Sequence, residues 1–193
     1  MNDAVGQIDA SPTKEFFIDM LTRDITLTQC ILDLVDNSIH NVIRSTNLDV
    51  TQILTGKART RSIQHAKIAI TLDKTHFRIE DTCGGISIAD AQNEVFRFGK
   101  PTPDRRLKGL GVYGIGMKRA LFKIGCKITV QSRTSKEKQG FAVDIDVREW
   151  TNSKEWTFEF TSPLPKRRPN RSARPGTKCA GKNKVYNSHC ERC

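Results

Sequence analysis

The sequence predicts an α+β protein, a two-layer sandwich in which helices cover one face of a mixed, mostly antiparallel sheet. Three observations predict it. Residues 24–44 carry apolar side chains at helical spacing. Five short runs read as strands, alternating apolar and polar residues as half-buried strands do. Among them lies a glycine-rich stretch, Gly109 to Gly125 (GLGVYGIGMKRALFKIG), whose second half reads as a helix. Helices gathered against one face of such a sheet bury both apolar surfaces in a single contact.

The elements follow in order. Ser11-Pro12 suits a helix start, with Ser11 as N-cap and Pro12 in the first turn. Phe16, Phe17 and Met20 then fall at helical spacing and are expected in the core. From Asp24 to Arg44 the apolar positions are Leu27, Ile31, Leu34, Val35, Ile39, Val42 and Ile43. On another face of this helix Asp33 and Asn37 stand four apart, hence side by side. Residues 47–64 read as helix or loop without a clear period. Lys67–Leu72 and His76–Glu80 form a hairpin across Asp73-Lys74-Thr75, and the second strand runs into Asp81-Thr-Cys-Gly-Gly-Ile86. Ala89 to Phe98 reads as a short helix, followed by a polar, proline-containing loop that suits either a lid or a passive surface loop. Lys127–Gln131, Phe141–Val147 and Trp156–Phe160 complete the strands.

The chain has 193 residues, enough for one domain with a real core and a tail. No run approaches the apolar length of a membrane span, and the N-terminal stretch lacks an apolar leader core, so a cytoplasmic protein with no membrane partner is expected. Of the six cysteines, Cys30, Cys83 and Cys126 sit singly inside apparent elements, and Cys179, Cys190 and Cys193 lie near the end. They read as reduced thiols. The net charge of +11 is uneven: residues 163–193 hold nine Lys/Arg against one Glu, leaving residues 1–162 near neutral. The expected division is a core over 1–162 and a basic tail over 163–193, disordered or truncated. A basic tail attracts phosphate polymers without sequence preference, so it is either a nucleic-acid arm or a solvated segment.

Three motifs carry chemistry. Glycines 109, 111, 114 and 116 let a ligand approach the backbone closely, and the free N–H groups opening the next helix attract anionic oxygens. Lys118 adds positive charge there. The loop follows PTPDRRLK rather than a strand, against a dinucleotide fingerprint, and it lacks the Gly-Lys-Ser/Thr ending of a Walker loop. Asp33 with Asn37 suits metal and water handling, or else a solvated face. Asp81 at a strand end before glycines suits a site, or else a plain turn.

In this order the motifs resemble those of the GHKL ATPase superfamily (gyrase, the ninety-kilodalton heat-shock chaperones, histidine kinases, MutL), which shares the Bergerat ATP-binding fold. ILDLVDNSIH resembles its N-box, DTCGGI its adenine motif, and GVYGIGMK its lid-end glycine motif, nearest the chaperone and MutL-like branches. The resemblance covers roughly residues 12 to 177. It implies that Asn37 holds Mg²⁺ bridging the triphosphate of ATP, and that Asp33, in the place of a catalytic Glu, orients or deprotonates the attacking water. It implies that Asp81 accepts from the adenine amino group, that Gly85 admits the base, and that Gly111, Gly114 and Gly116 wrap the phosphates near Lys118. Gly176-Thr177 resembles the later Gly-Thr, whose hydroxyl supports the adenine-binding Asp.

Several residues depart from the pattern. Asp33 is one methylene shorter than Glu, Cys83 replaces a glycine, and His40-Asn41 stands where Asp-Ala is usual. A buried neutral role is expected for His40. After Thr177 the family continues into a core strand, whereas KCAGKNKVYNSHCERC shows no alternation, so a truncated or frame-disrupted end is expected. The rival for the tail, a zinc site from Cys179, His189, Cys190 and Cys193, has poor spacing. The implied function is ATP binding with slow Mg²⁺-dependent hydrolysis, used as a conformational switch, with dimerisation on ATP binding as a family expectation. The alternatives are a nucleotide-binding module without turnover and a nucleic-acid-binding protein acting through its tail.

Overall fold

The computed structural model describes residues 9–46, 51, 55, 63–98, 115–163 and 182–186. Within them one layer of helices lies on an antiparallel six-stranded sheet ordered β1-β2-β6-β3-β4-β5. This is the α+β sandwich that the alternating runs predict. No helix among the described residues is long and apolar enough to cross a membrane.

Helix α1 is Lys14–Thr22. Its N-cap is Thr13, not the expected Ser11: the Thr13 hydroxyl accepts from the Phe16 amide, while the Ser11 amide donates to Asp9 Oδ1 in a turn of its own. Phe17 packs edge-on against Phe98 and Trp156. Phe16 and Met20, expected in the core, are 55% and 51% exposed. The buried residue at the head of α1 is Lys14, whose ammonium donates to the carbonyls of Trp150, Ser153 and Glu155 and to Ser153 Oγ, lying 4.5 Å over the Trp150 ring. That docking turns Phe16 outward.

Helix α2, Leu27–Thr46, is the strongly periodic segment, and Cys30, Leu34 and Ser38 form its fully buried line. Strands β1 (Ile68–Leu72) and β2 (Phe77–Asp81) make the expected hairpin. Asp73 Oδ1 closes it by accepting from the Thr75 and His76 amides and the Thr75 hydroxyl. Along β2 the two-residue period buries Phe77, Ile79 and Asp81 on one side. A helical turn, α3 (Ile88–Asp90), continues as a π turn, Ala91–Val95, where a single short helix is expected. Helix α4 is Gly116–Ile124, packed against α2 and α1.

Strand β3 (Lys127–Arg133) pairs with β4 (Phe141–Asp146). The predicted strand to Val147 ends one residue early, because Asp146 caps α5 (Val147–Asn152) by accepting from the Arg148 and Glu149 amides. Of the predicted strand Trp156–Phe160 only Phe160 joins the sheet, as the first residue of β5 (Phe160–Pro163). The alternation there reflects side-chain packing without a ladder: Trp156 and Phe158 lie against Trp150, and Phe160 against Phe141. Pro163, which has no N–H to donate, falls on this edge strand.

Strand β6, Lys182–Tyr186, lies inside the stretch expected as tail. It pairs with β2 on one side and β3 on the other, with Val185 in register with Ile79 and Val130. The sequence reading missed it because backbone ladders on both flanks require no alternating side chains. The other residues of 163–193 beyond Pro163 lie outside the described residues, as does most of 47–64.

Candidate functional site

Among the described residues, Asp33, Asn37, Asp81 and Gly116 lie on or against α2. Asp33 and Asn37 share one face, one turn apart, and Asn37 Nδ2 donates to the Asp33 carbonyl. That bond turns the amide nitrogen back to the helix and leaves the amide oxygen as the outward end of an exposed side chain. Ser38, one residue on, is buried and turned toward the sheet. Its hydroxyl donates to Asp81 Oδ2 at 2.8 Å, and the Cys83 amide donates to Oδ1 at 2.8 Å. Asp81 is 8% exposed, so its carboxylate is taken from water and partly repaid by these two bonds.

Beyond Asp81 the chain turns through Gly84 and Gly85, at φ +110° and +79°. Both values favour glycine. A Cβ on Gly84 would reach 3.0 Å from Ser45 Cβ, so the turn lies against the last part of α2. A Cβ on Gly85 would stand 2.4 Å from the Arg133 carbonyl oxygen, so the close approach there is to β3. Ser132, wholly buried, pins the next residue: the Ile86 amide donates to its Oγ at 2.6 Å, and the hydroxyl donates back to the Ile86 carbonyl. Among the described residues the positive-φ glycines are these two. The Cys83 thiol is pushed up to about 11, first by burial and then by Asp81 beside it. His40 is only half-buried.

Helix α4 enters at the other end of α2. Its N-cap, Ile115, supplies no side-chain cap to the first N–H groups. A Cβ on Gly116 would lie 3.6 Å from Asp33 Oδ2. Lys118 is 3% exposed and its ammonium donates to the Val95 carbonyl. Arg119 faces the site instead, with Nε and Nη2 at 2.9 and 2.8 Å from Asp33 Oδ2. The pair is an ion pair with one charge-assisted hydrogen bond, from Nε.

The described residues thus bring Asp33, Asn37, Asp81 and Gly116 onto or against one helix, with Gly85 in the turn beside its end. Gly111, Gly114 and Thr177 lie outside the described residues, as does the loop 99–110. Ser38, Arg119 and Ser132 were missed by the sequence reading. Arg119 falls three residues after Gly116 and four before Lys123, whose ammonium reaches the Thr22 carbonyl, so this i, i+3, i+7 stripe marks the face of α4 turned to α1 and α2. A separate cavity of about 780 Å³, with Phe96, Phe98, Trp156 and Phe158 in its wall, lies away from these motifs and includes none of these residues.

Compared with known families, residues 25–172 match the family described as histidine kinase-, DNA gyrase B-, and HSP90-like ATPases. The chain belongs to this ATPase family. The matched span runs from just before α2 through β5, so it contains the helix, the Asp81 turn and the opening of α4. No curated protein matches the chain. Membership points to ATP as the ligand of this ATPase-family domain. Among the described residues no group of three or more His, Cys, Asp or Glu could cage a metal ion. Mg²⁺ needs no such cage, since it keeps waters and shares substrate phosphates, taking one or two protein oxygens. The Asn37 amide oxygen is such a donor.

Proposed function

We propose that this ATPase-family domain binds Mg²⁺-ATP along α2 and hydrolyses it slowly, as a conformational switch. The observation that carries the proposal is the convergence on α2 of an outward amide oxygen, a carboxylate beside the start of α4, and the buried Asp81 at its far half. Asp81 takes a hydrogen bond from the adenine amino group, a donor that guanine lacks at that position. The N–H groups opening α4 and the backbone of Gly111, Gly114 and Gly116 hold the phosphates, with Lys118 close behind. Asn37 donates its amide oxygen to Mg²⁺, which when bound offsets the triphosphate charge. A hydroxyl at Thr177 supports Asp81.

Asp33 takes the proton of the attacking water. The water oxygen bonds to the γ-phosphorus, the bond from that phosphorus to the β–γ bridging oxygen breaks, and ADP leaves with that electron pair. Aspartate reaches less far than glutamate, so the water is met at the limit of hydrogen-bond range or through a second water, and turnover is slow. Closure of the loop 99–110 over bound nucleotide and dimerisation on ATP carry the signal onward. The second reading, nucleotide binding without turnover, has its own support in the ion pair of Arg119 with Asp33.

Titration with Mg²⁺-ATP beside phosphate-release assays tests both. Asp81→Asn, which replaces an acceptor with an amide, should weaken ATP binding by about tenfold or more. Asp33→Ala should keep affinity and lower turnover by about a hundredfold or more. Wild-type binding without phosphate release selects the second reading. Unchanged affinity in Asp81→Asn overturns the placement of the base.

A further inference from the structure

Asp33 is held from one side. Arg119 Nε donates to Oδ2, and Nη2 of the same guanidinium stands 2.8 Å from that oxygen as its ion-pair partner, on a helix 86 positions along the chain. The start of α4 passes beside the same oxygen, a Cβ on Gly116 lying 3.6 Å from it. Oδ1 accepts no hydrogen bond among the described residues. Oδ2 is therefore the enclosed oxygen and Oδ1 the open one. The guanidinium is planar and permanently charged, so few rotamers of Asp33 keep both the hydrogen bond and the ion-pair contact.

We propose that Arg119 is the positioning residue of the hydrolytic site, fixing Asp33 so that Oδ1 alone receives the proton of the attacking water; this rests on Asp33 being the base. A base must lie about 2.6–3.2 Å from the proton's heavy atom or act through one water. A short aspartate has little margin in that range, and a freely turning carboxylate would present either oxygen in several directions. Pinning Oδ2 removes that freedom. The neighbouring Lys118 donates to the Val95 carbonyl, and Arg119 is the basic residue whose contact with Asp33 the structure shows. A plain ion pair between helices would change stability without separating turnover from affinity.

The test compares wild type, Arg119→Ala, Arg119→Gln, Arg119→Lys, Asp33→Ala and the double variant Asp33→Ala/Arg119→Ala. Mg²⁺-ATP affinity, single-turnover phosphate release and thermal melting are measured for each. Arg119→Ala and Arg119→Gln should bind ATP within about threefold of wild type and release phosphate about tenfold more slowly or worse. Arg119→Lys, which keeps charge and a donor, should recover part of the rate. The double variant should be no slower than Asp33→Ala. If Arg119→Ala fails to fold, Arg119→Gln decides. Wild-type turnover in Arg119→Gln with an inactive Asp33→Ala overturns the role of Arg119 and leaves Asp33 as base. Affinity falling as far as turnover also overturns it, making Arg119 a phosphate ligand, as does an additive double variant. A wild type that releases no phosphate, or an Asp33→Ala at the wild-type rate, overturns both assignments.

Discussion

At Gly85 the backbone sits at φ +79° and its hydrogen occupies the place of a Cβ that would stand 2.4 Å from the Arg133 carbonyl oxygen. Both the dihedral and the contact forbid a side chain, and the obstacle is backbone, which cannot swing away. Gly85→Ala should therefore destabilise by about 2 kcal/mol or more, read as a lowered denaturation midpoint. Gly116 is a different case. It opens α4 without positive φ, and its Cβ would meet Asp33 at ordinary contact distance. Gly116→Ala should stay within about 1 kcal/mol of wild type in stability, since alanine favours the helix. Equal losses in the two variants would contradict this contrast. The glycines of the sequence look alike, and only the neighbouring atoms separate a steric requirement from a tolerance.

Among the elements, α1 is held by one unusual anchor. The Lys14 ammonium has three N–H donors and four acceptors around it, the carbonyls of Trp150, Ser153 and Glu155 and the Ser153 hydroxyl, with the Trp150 ring below. These acceptors belong to the end of α5 and the segment after it, so one side chain ties the first helix to the far side of the fold. Lys14→Met keeps the apolar stem and removes the donors, leaving buried carbonyls unpaired. Melting and hydrogen exchange should show a loss of about 2 kcal/mol and faster exchange across Lys14–Thr22. An unchanged protein would mean that water replaces the ammonium at no cost. Sequence periodicity made α2, β1 and β2 legible. It misjudged α1, where a lysine rather than Phe16 and Met20 makes the buried contact. It also missed α5, although Asp146 with Glu149 three residues on is a capping signature.

Over the whole molecule, the site is bound to the stability of the core through Cys83. Burial raises this thiol from an ordinary 9.0 to about 11, and burial raises Cys30 in the same direction. The neutral thiol is the form that the fold prefers. Its contribution is complete below pH 9, where both states are protonated, and is lost as pH rises from 9 through 11, where the unfolded chain alone has shed the proton. Denaturant midpoints should hold steady to about pH 9 and then fall, with a shallower fall in Cys83→Ala. Parallel curves for the two proteins would sink this account. The sequence by itself determined the layers, the hairpin, the periodic helix and the three motifs that mark the ATPase family, because period and spacing are properties of neighbours along the chain. Tertiary structure alone decided that Arg119 rather than Lys118 meets Asp33, that Ser38 meets Asp81 across 43 positions, and that Lys182–Tyr186 enters the middle of the sheet. Those outcomes depend on which surfaces face each other after folding. A strand paired on both edges is held by backbone bonds, which the side-chain pattern does not record.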